Sequence, residues 1–189
     1  MIKVIFDSSF LISMVDRGVY PGQVAPGVDA AVSDRRIEHM LVGLEANRTI
    51  VVIPTPVLAE VLVKRLQQAS NLVATIKDAS RIRLAPFGAS AAIEAAELLH
   101  KHLPKKTERN KEWSKHRLKF DLQILAIAKV EGVARIYAND KGLLRRVRSE
   151  GMEGISLNDL ATPEEDAPRL PMELPKNGPR SRRNVDPDD

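Results

Sequence analysis

The sequence predicts an α/β protein, a sandwich of helices around a mostly parallel β-sheet. Short runs of β-branched and aromatic residues alternate along the chain with longer segments of helical periodicity, which is typical of strands joined by helical crossovers. The 189 residues are 43% hydrophobic and 29% charged, enough for one substantial core but cramped for two full domains. We therefore expect a single α/β domain.

The first strand is predicted at Ile2–Phe6, a short run of mainly β-branched and aromatic residues. The Asp-Ser-Ser that follows begins a helical pattern, and two Pro-Gly pairs then indicate a loop over Gly18–Gly27. A helix is predicted over Ala30–Asn47, because its apolar residues share one face. Thr49–Ile53 follows as a second buried strand.

The helix after the second strand is predicted to have Thr55 as its N-cap and Pro56 at its first position. Helical segments also separate the later strands, as a parallel sheet requires. The remaining predicted elements are a strand at Ile82–Leu84, a helix at Ala89–His102, a helix through Lys119–Gly132, a strand at Ala134–Ala138, a helix at Lys141–Ser149 and a weak strand at Gly154–Ser156.

The predicted domain spans residues 1–162, and residues 163–189 form a tail of different composition. The tail holds six of the twelve prolines, seven acidic residues and five basic residues. It has little apolar surface to bury, so we expect it to be disordered or to order on a partner. Removing its charges from the 29 basic and 25 acidic residues of the whole chain leaves 24 and 18 in the domain. That excess suits a polyanionic partner.

Composition excludes several other classes of protein. The absence of cysteine rules out disulfides, thiolate zinc sites and a cysteine nucleophile. No apolar run approaches the roughly 18–20 residues of a membrane span. Asp7 and two serines interrupt the N-terminal apolar stretch, and no small-residue cleavage site follows it, so we expect no signal peptide. A cytoplasmic protein with no membrane association is the resulting prediction.

One acid lies on a helix that is otherwise apolar on most of its circumference. At about 100° per residue, Asp121 points between Ile124, Leu125 and Ala128. A carboxylate on such a surface is costly unless it is paired, hydrogen-bonded or bound to a metal. Arg117, four residues earlier, is the obvious local partner if no metal is involved.

Three further acids stand where an α/β protein builds its sites. Asp7 and Asp140 each follow a predicted strand, and sites gather outside the carboxyl ends of parallel strands. Glu60 and Asp121 lie on helices predicted to pack beside the sheet. Each acid also has a purely structural explanation: Asp7 and Asp140 could cap the helices that follow them, and Glu60 could be a solvated helical residue. Those alternatives stay open at the level of single residues.

Four carboxylates brought together would repel one another, and a divalent cation would relieve that repulsion. Oxygen ligands without histidine or cysteine favour Mg²⁺ or Mn²⁺ over zinc. Such ions suit phosphoryl chemistry, because they orient and help ionise a water and neutralise charge that develops on the phosphate.

The four acidic segments IFDSSFLI, PTPVLAEVL, KFDLQILAIA and RIYANDKGL resemble, in this order, the signature of the PIN-domain nucleases, especially the VapC-type toxins of toxin–antitoxin pairs. The resemblance covers roughly residues 1–160. It implies a PIN-like three-layer α/β/α sandwich with about five strands in the sheet, and Mg²⁺- or Mn²⁺-dependent cleavage of RNA. By the same resemblance, the metal-binding and catalytic residues are Asp7, Glu60, Asp121 and Asp140.

The resemblance also implies supporting residues around the acids. Ser8 matches the small hydroxyl residue that often follows the first acid. The family often has Thr or Ser two positions before the last acid, where this chain has Ala138, and Asn139 is the residue that could compensate. A cognate antitoxin and a homodimer are the implied protein partners.

RNA contact is predicted for the basic segment that leads into the Asp121 helix. Residues 101–119 hold eight Lys or Arg against two Glu, and Trp113 is available to stack on a base. A solvated surface is the alternative, as it is for a second basic cluster at Arg145, Arg146 and Arg148. The residues proposed to contact RNA are Lys105, Lys106, Arg109, Lys111, Lys115, Arg117 and Lys119.

Two other functions compete with the nuclease. An RNA-binding or regulatory PIN-like module with little or no catalysis would explain the Ala138 departure and the long basic segment. A haloacid dehalogenase-type phosphatase would need an acid two residues after Asp7, where this chain has Ser9. Receiver domains need paired acids early in the chain, a pattern that is not convincing here.

Overall fold

The computed structural model describes residues 1–15, 30–102 and 112–163, which form one five-stranded sheet with helices packed against it. All strand pairs are parallel, in the order β3-β2-β1-β4-β5. The predicted α/β class and mostly parallel sheet are therefore confirmed. The strands are β1 at Lys3–Phe6, β2 at Ile50–Pro54, β3 at Ile82–Ala85, β4 at Arg135–Tyr137 and β5 at Glu153–Ile155.

Seven α-helices lie in the described part of the chain, and six of them match predicted helical segments. The exception is Ala69–Asp78, which had no predicted counterpart. The predicted loop at Gly18–Gly27 and the tail beyond residue 163 lie outside the described residues. The helices are α1 at Ser8–Val15, α2 at Ala30–Ala46, α3 at Thr55–Lys64, α4 at Ala69–Asp78, α5 at Ala89–His102, α6 at Glu112–Glu131 and α7 at Lys141–Ser149.

The core lies where the central strands meet the helices. Val4, Ile5 and Phe6 of β1 are fully buried, as expected for the middle strand of a sheet covered on both faces. Helix α6 is buried along its second half, from Leu122 through Ala128, apart from the half-exposed Gln123. The apolar surface expected around Asp121 is thus present. No helix among the described residues is long and apolar enough to span a bilayer.

The prediction that Thr55 caps α3 is wrong. Pro54 occupies the N-cap position, and no side chain caps the helix there. The hydroxyl of Thr55 instead accepts a hydrogen bond of 3.1 Å from the backbone amide of Phe87. Because proline has no amide hydrogen and a fixed φ, Pro54 and Pro56 can start the helix without a capping side chain.

The order of the strands creates a crevice between β1 and β4. From β1 the chain moves outward through β2 to β3, then returns to the other side of β1 for β4 and β5. Connections that leave neighbouring strands in opposite directions open a crevice at the carboxyl ends of those strands. Phe6 pairs with Tyr137, and the amide of Asp7 donates to the carbonyl of Tyr137 at 2.9 Å. Asp7 therefore lies at this crevice.

Candidate functional site

A cavity of about 500 Å³ lies at the carboxyl ends of β1 and β4, and all four predicted acids line it. Two strand ends and two helices supply these acids, which are far apart in the sequence. The grouping that the sequence predicted is therefore present in the fold. The residues that line the cavity are Asp7, Ser8, Glu60, His116, Arg117, Phe120, Asp121, Asp140 and Leu143.

Asp7 is buried at the end of β1, directly before α1. Its Oδ2 accepts a hydrogen bond of 3.0 Å from the Ser9 hydroxyl, and its Oδ1 accepts a longer one of 3.4 Å from Ser8. Burial raises the pKa of Asp7 and the negative charge of Glu60 adds to the rise, although the bonds from Ser8 and Ser9 oppose it. The fold therefore holds this carboxylate in an environment that disfavours its charge.

Asp121 is the second buried acid, with 5% of its surface exposed. Burial raises its pKa to about 7; Arg146 opposes the rise, and the negative charges of Asp140 and Asp7 add to it. Arg146 Nη1 donates to Asp121 Oδ2 at 3.0 Å. The local partner suggested by the sequence was Arg117, and that pairing is wrong, because the guanidinium of Arg117 bonds to Asp140 instead.

Asp140 has two roles at the start of α7. Its Oδ1 accepts a 2.8 Å hydrogen bond from the amide of Leu143, so it is the N-cap of the helix, one of the structural roles considered above. Its Oδ2 accepts from Arg117 at the cavity. Capping satisfies one carboxylate oxygen and leaves the other directed to charged partners, so the two roles are compatible.

Glu60 lies on α3 with an exposed side chain, in contrast to the buried Asp7 and Asp121. It nevertheless lines the same cavity and is close enough to raise the pKa of Asp7. Glu60 is thus the acid with the best access to solvent, as a group that handles a water or a proton would need.

Two of the four cavity carboxylates pair with guanidinium groups in the part of the chain that the structure describes. Asp140 pairs with Arg117 and Asp121 with Arg146. In the described residues, no three acidic or histidine side chains are arranged as a metal cluster. The donor chemistry nevertheless fits a divalent cation: the ligands are carboxylate oxygens, two of them are buried, and the pKa of each buried acid is raised.

The predicted supporting residues differ in where they lie. Ser8 lines the cavity and bonds to Asp7. Asn139 is not among the lining residues, and its Oδ1 accepts a hydrogen bond of 3.1 Å from the amide of Leu157. Asn139 therefore holds the turn after β5, and Ala138 is fully buried.

Of the residues predicted to contact RNA, Arg117 and Lys119 are exposed on α6, and Arg117 also lines the cavity. His116 is exposed and lines the cavity as well. The side chain of Lys115 lies outside the described part of the structure. So do the remaining predicted contacts, Lys105, Lys106, Arg109 and Lys111.

Sequence reasoning missed Arg146 and Ser9. Arg146 was grouped with Arg145 and Arg148 as a surface cluster, whereas its side chain is mostly buried beside Asp121. Helical spacing gave no signal for its role, because six residues are about 1.7 turns and place Arg146 about 120° away from the face of Asp140. Ser9 follows Asp7 by two residues, a spacing at which a hydroxyl at a helix start can reach the preceding acid.

The structure is thus an α/β protein with a parallel sheet, in which four carboxylates line a cavity at the crevice between β1 and β4. A family model described as PIN domain matches residues 4–149. The match covers most of the chain and includes all four acids. The chain belongs to the PIN-domain family, and the resemblance predicted from the four acidic segments is confirmed.

Solved structures of similar fold include VapBC proteins. VapBC2 from Rickettsia felis, bound to a DNA fragment from its promoter, aligns with a TM-score of 0.50 at 18% identity, over 82% of this chain and 98% of that one. DNA-bound VapBC from Salmonella typhimurium aligns with a TM-score of 0.48 at 18% identity, over 83% of this chain and 99% of that one. VapC20 from Mycobacterium tuberculosis, a Sarcin-Ricin loop cleaving toxin, aligns with a TM-score of 0.46 at 21% identity, over 79% of this chain and 95% of that one. The alignment with VapBC2 from Rickettsia felis shows similarity of fold alone. No curated protein matches the chain closely enough to serve as a relative.

Proposed function

We propose that this protein is a metal-dependent endoribonuclease that hydrolyses RNA phosphodiester bonds. The observation that carries the proposal is the single cavity lined by Asp7, Glu60, Asp121 and Asp140, in a chain of the PIN family. Buried carboxylates are costly unless they are paired or coordinate a cation, and the described residues supply guanidinium partners for Asp140 and Asp121 alone. A cation site explains why the fold tolerates this cost.

The residues that would hold the ion are Asp7, Asp121 and Asp140, with Glu60 as a further ligand or as the group that aligns the water. Mg²⁺ or Mn²⁺ would orient and help ionise the attacking water and neutralise charge on the phosphate. Glu60, exposed at the cavity, would accept the proton of that water at its carboxylate. Arg117, with 69% of its side chain exposed, would bind a phosphate oxygen of the substrate.

Within this class we propose a VapC-like toxin with a cognate antitoxin, acting in the cytoplasm as a homodimer. The support is the family and the VapBC-like fold. An antitoxin would be expected to lay a helix or an extended arm across the acid cavity and the neighbouring apolar surface. Residues 1–162 would form the nuclease domain, and residues 163–189 a tail outside it.

The direct test compares cleavage of a structured RNA by wild type, Asp7→Asn and Asp121→Asn with Mn²⁺. Wild type should produce fragments with 5′-phosphate ends, and both variants should be inactive although their circular dichroism is unchanged. Asp78→Asn, at an exposed acid on α4 away from the cavity, is the matched control and should cleave normally. Undiminished cleavage by both cavity variants would contradict the proposal.

An RNA-binding module without catalysis is the second candidate. The observation that favours it is the pairing of Arg146 with Asp121 and of Arg117 with Asp140, which satisfies two acids without a metal. This candidate predicts salt-sensitive RNA binding that survives EDTA, with no cleavage at any Mn²⁺ concentration. Metal-dependent turnover would exclude it. Expression of wild type beside Asp7→Asn, scoring growth arrest and RNA fragment ends, would then test the toxin proposal.

A further inference from the structure

Arg146 is the more deeply buried of the two described guanidinium groups that pair with acids of the cavity. Only 19% of its side chain is exposed, and its Nη1 donates to Asp121 Oδ2 at 3.0 Å. Water screens a pair this deeply placed much less than a surface ion pair. Arg117 differs, because 69% of its side chain is exposed where it meets Asp140. Arg146 is therefore the stronger of the two counter-ions.

The packing around Gly142 leaves room for the Arg146 guanidinium beside two of the acids. Gly142 lies one helical turn before Arg146 on α7. A Cβ at this position would come within 3.0 Å of Arg146 Nη1 and 2.9 Å of Asp140 Oδ1. Such contacts are shorter than ordinary van der Waals distances, so a larger residue would force one of these groups to shift. The absence of a side chain at position 142 thus permits the guanidinium to lie between the helix and the acids.

The Asp121 oxygen bonded to Arg146 belongs to the carboxylate that faces the other acids. Asp121 experiences the charges of Asp7 and Asp140, so it is the acid most directly coupled to both strand-end carboxylates. A divalent ion held by these three acids would carry its positive charge into the region that the guanidinium already neutralises. Two cations that share one carboxylate repel each other, so each weakens the binding of the other.

We propose that Arg146 is an internal counter-ion that competes with the divalent cation for Asp121 and thereby sets the metal affinity of the site. This inference rests on the proposed metal-dependent function. It proposes that one residue, Arg146, controls how much metal the protein requires. Arg146 is a positioning residue in this scheme: it acts through Asp121 and need not touch the substrate. Metal binding would release the guanidinium from Asp121, and removal of Arg146 would make the cavity more available to metal.

The test measures Mn²⁺ affinity of the metal-free protein by electron paramagnetic resonance of free Mn²⁺, without substrate. Arg146→Met keeps an unbranched apolar stem and removes the charge, and we expect it to bind Mn²⁺ about tenfold more tightly, within the range of about 5–150-fold that is typical of coupled sites. Arg146→Gln is a second neutral variant, in case the Met variant does not fold. Arg145→Met is the control, because it removes the same charge from an exposed neighbour on α7.

Ionic strength separates local competition from general attraction of cations. Any gain from Arg145→Met should be small at low salt and should disappear at high salt, whereas the gain from Arg146→Met should persist, because the Arg146 pair is short-range and mostly buried. Unchanged or weaker Mn²⁺ binding in folded Arg146→Met and Arg146→Gln would overturn the inference. An equal gain in Arg145→Met at high salt would also overturn it.

Failure of this inference can be told apart from failure of the proposed function. If wild type binds Mn²⁺ and Asp121→Asn abolishes that binding, the metal site stands, and only the Arg146 variants decide the competition. If Asp121→Asn binds Mn²⁺ as wild type does, the metal site itself is wrong, and the competition falls with it.

Discussion

Two clusters of buried carboxylates lie in the described part of the molecule, and they are neutralised to very different degrees. In the acid cavity, Asp7 and Asp121 have raised pKa values, chiefly because they are buried. In the second cluster, the Glu150 side chain is 5% exposed, yet its pKa is lowered. Burial alone would raise that pKa, but bonds from Lys101 and His102 and the charge of Lys129 outweigh it.

Helices α6 and α7 contribute residues to both clusters. The clusters differ in how many described cations contact each buried acid. We call the second group the Glu150 cluster: Glu150, Lys101, His102, Lys129 and Glu94. Lys101 lies 2.8 Å and His102 3.0 Å from Glu150, and Lys129 links it to Glu94. The Glu150 cluster thus ties α5, α6 and α7 together. Counted over the described residues, the acid cavity has fewer positive partners than acids, as expected of a site that receives a cation.

The largest expected difference between the two clusters is in catalysis. Asp121→Asn should lower Mn²⁺-dependent RNA cleavage by more than about a hundredfold, because a bound metal supplies several kcal/mol of transition-state stabilisation. Glu150→Gln should leave the cleavage rate per folded molecule unchanged, since Glu150 does not line the cavity. Initial rates at saturating Mn²⁺ measure both. Loss of activity in folded Glu150→Gln would break the separation between the clusters.

For stability, the Glu150 cluster should matter more than the acid cavity. Glu150→Gln should lower the free energy of unfolding by about 2 kcal/mol, because the mostly buried Glu150 carboxylate is the charged partner of Lys101, His102 and Lys129. Glu153→Gln is the matched control: Glu153 is about half exposed where it meets Arg135, and the expected loss is below about 0.5 kcal/mol. Urea unfolding at neutral pH measures both. Equal losses would mean that burial adds nothing to the Glu150 contacts.

The pH dependence of stability should have opposite signs in the two clusters. The pKa of Asp121 rises from 3.8 to about 7 on folding, so the folded metal-free protein holds an extra proton between these values. This contribution is fully present below about pH 4 and is lost as the pH rises to about 7, at no more than about 1.4 kcal/mol per pH unit. Asp7, also raised, acts in the same direction. Glu150, with a lowered pKa, loses its contribution only as the pH falls below 4.5.

Urea unfolding in EDTA from pH 5 to pH 8 tests this. The free energy of unfolding of Asp121→Asn should fall less across this range than that of wild type, whereas Glu150→Gln should keep the wild-type slope. An Asp121→Asn slope as steep as that of wild type would show that Asp121 does not hold the extra proton.

The smallest expected effect concerns the hydroxyl groups that support Asp7. Ser9→Ala removes the 3.0 Å bond to Asp7 Oδ2 and should lower the free energy of unfolding by about 1 kcal/mol, with weaker Mn²⁺ binding by a few-fold. Ser8→Ala removes only the longer 3.4 Å bond and should have the smaller effect. Calorimetric titration with Mn²⁺ compares them. A larger loss of stability or Mn²⁺ affinity in Ser8→Ala than in Ser9→Ala would show that Ser8, the residue that the sequence favoured, is the main support of Asp7.

The sequence predicted the sheet and the four acids because those features depend on local pattern. Each strand is a short apolar run, and Asp7 and Asp140 follow strands whose carboxyl ends meet in any parallel sheet. The apolar surroundings of Asp121 are likewise visible in the spacing of α6. The pattern of one amino-acid sequence was sufficient to predict these features, because each depends on periodicity and strand order.

The remaining features depend on which side chain meets which partner. Arg117 is four residues from Asp121, the ideal helical spacing for a pair, yet it bonds to Asp140 and leaves Asp121 to Arg146. Helix α4 was missed although Leu72, Val73 and Ile76 lie at helical spacing and pack on the core. Thr55 was assigned as a cap from its residue type alone, although its hydroxyl serves Phe87.

The most direct test of the central claim is the change in free energy of unfolding on adding Mn²⁺ at pH 7.5. A ligand that binds only the folded state stabilises it, by about 2.7 kcal/mol at a concentration one hundred times the dissociation constant. Wild type and Glu150→Gln should both gain stability to a similar extent, and Asp121→Asn should gain almost none. The same gain in Asp121→Asn as in wild type would contradict the assignment of the under-neutralised acid cavity as the metal site.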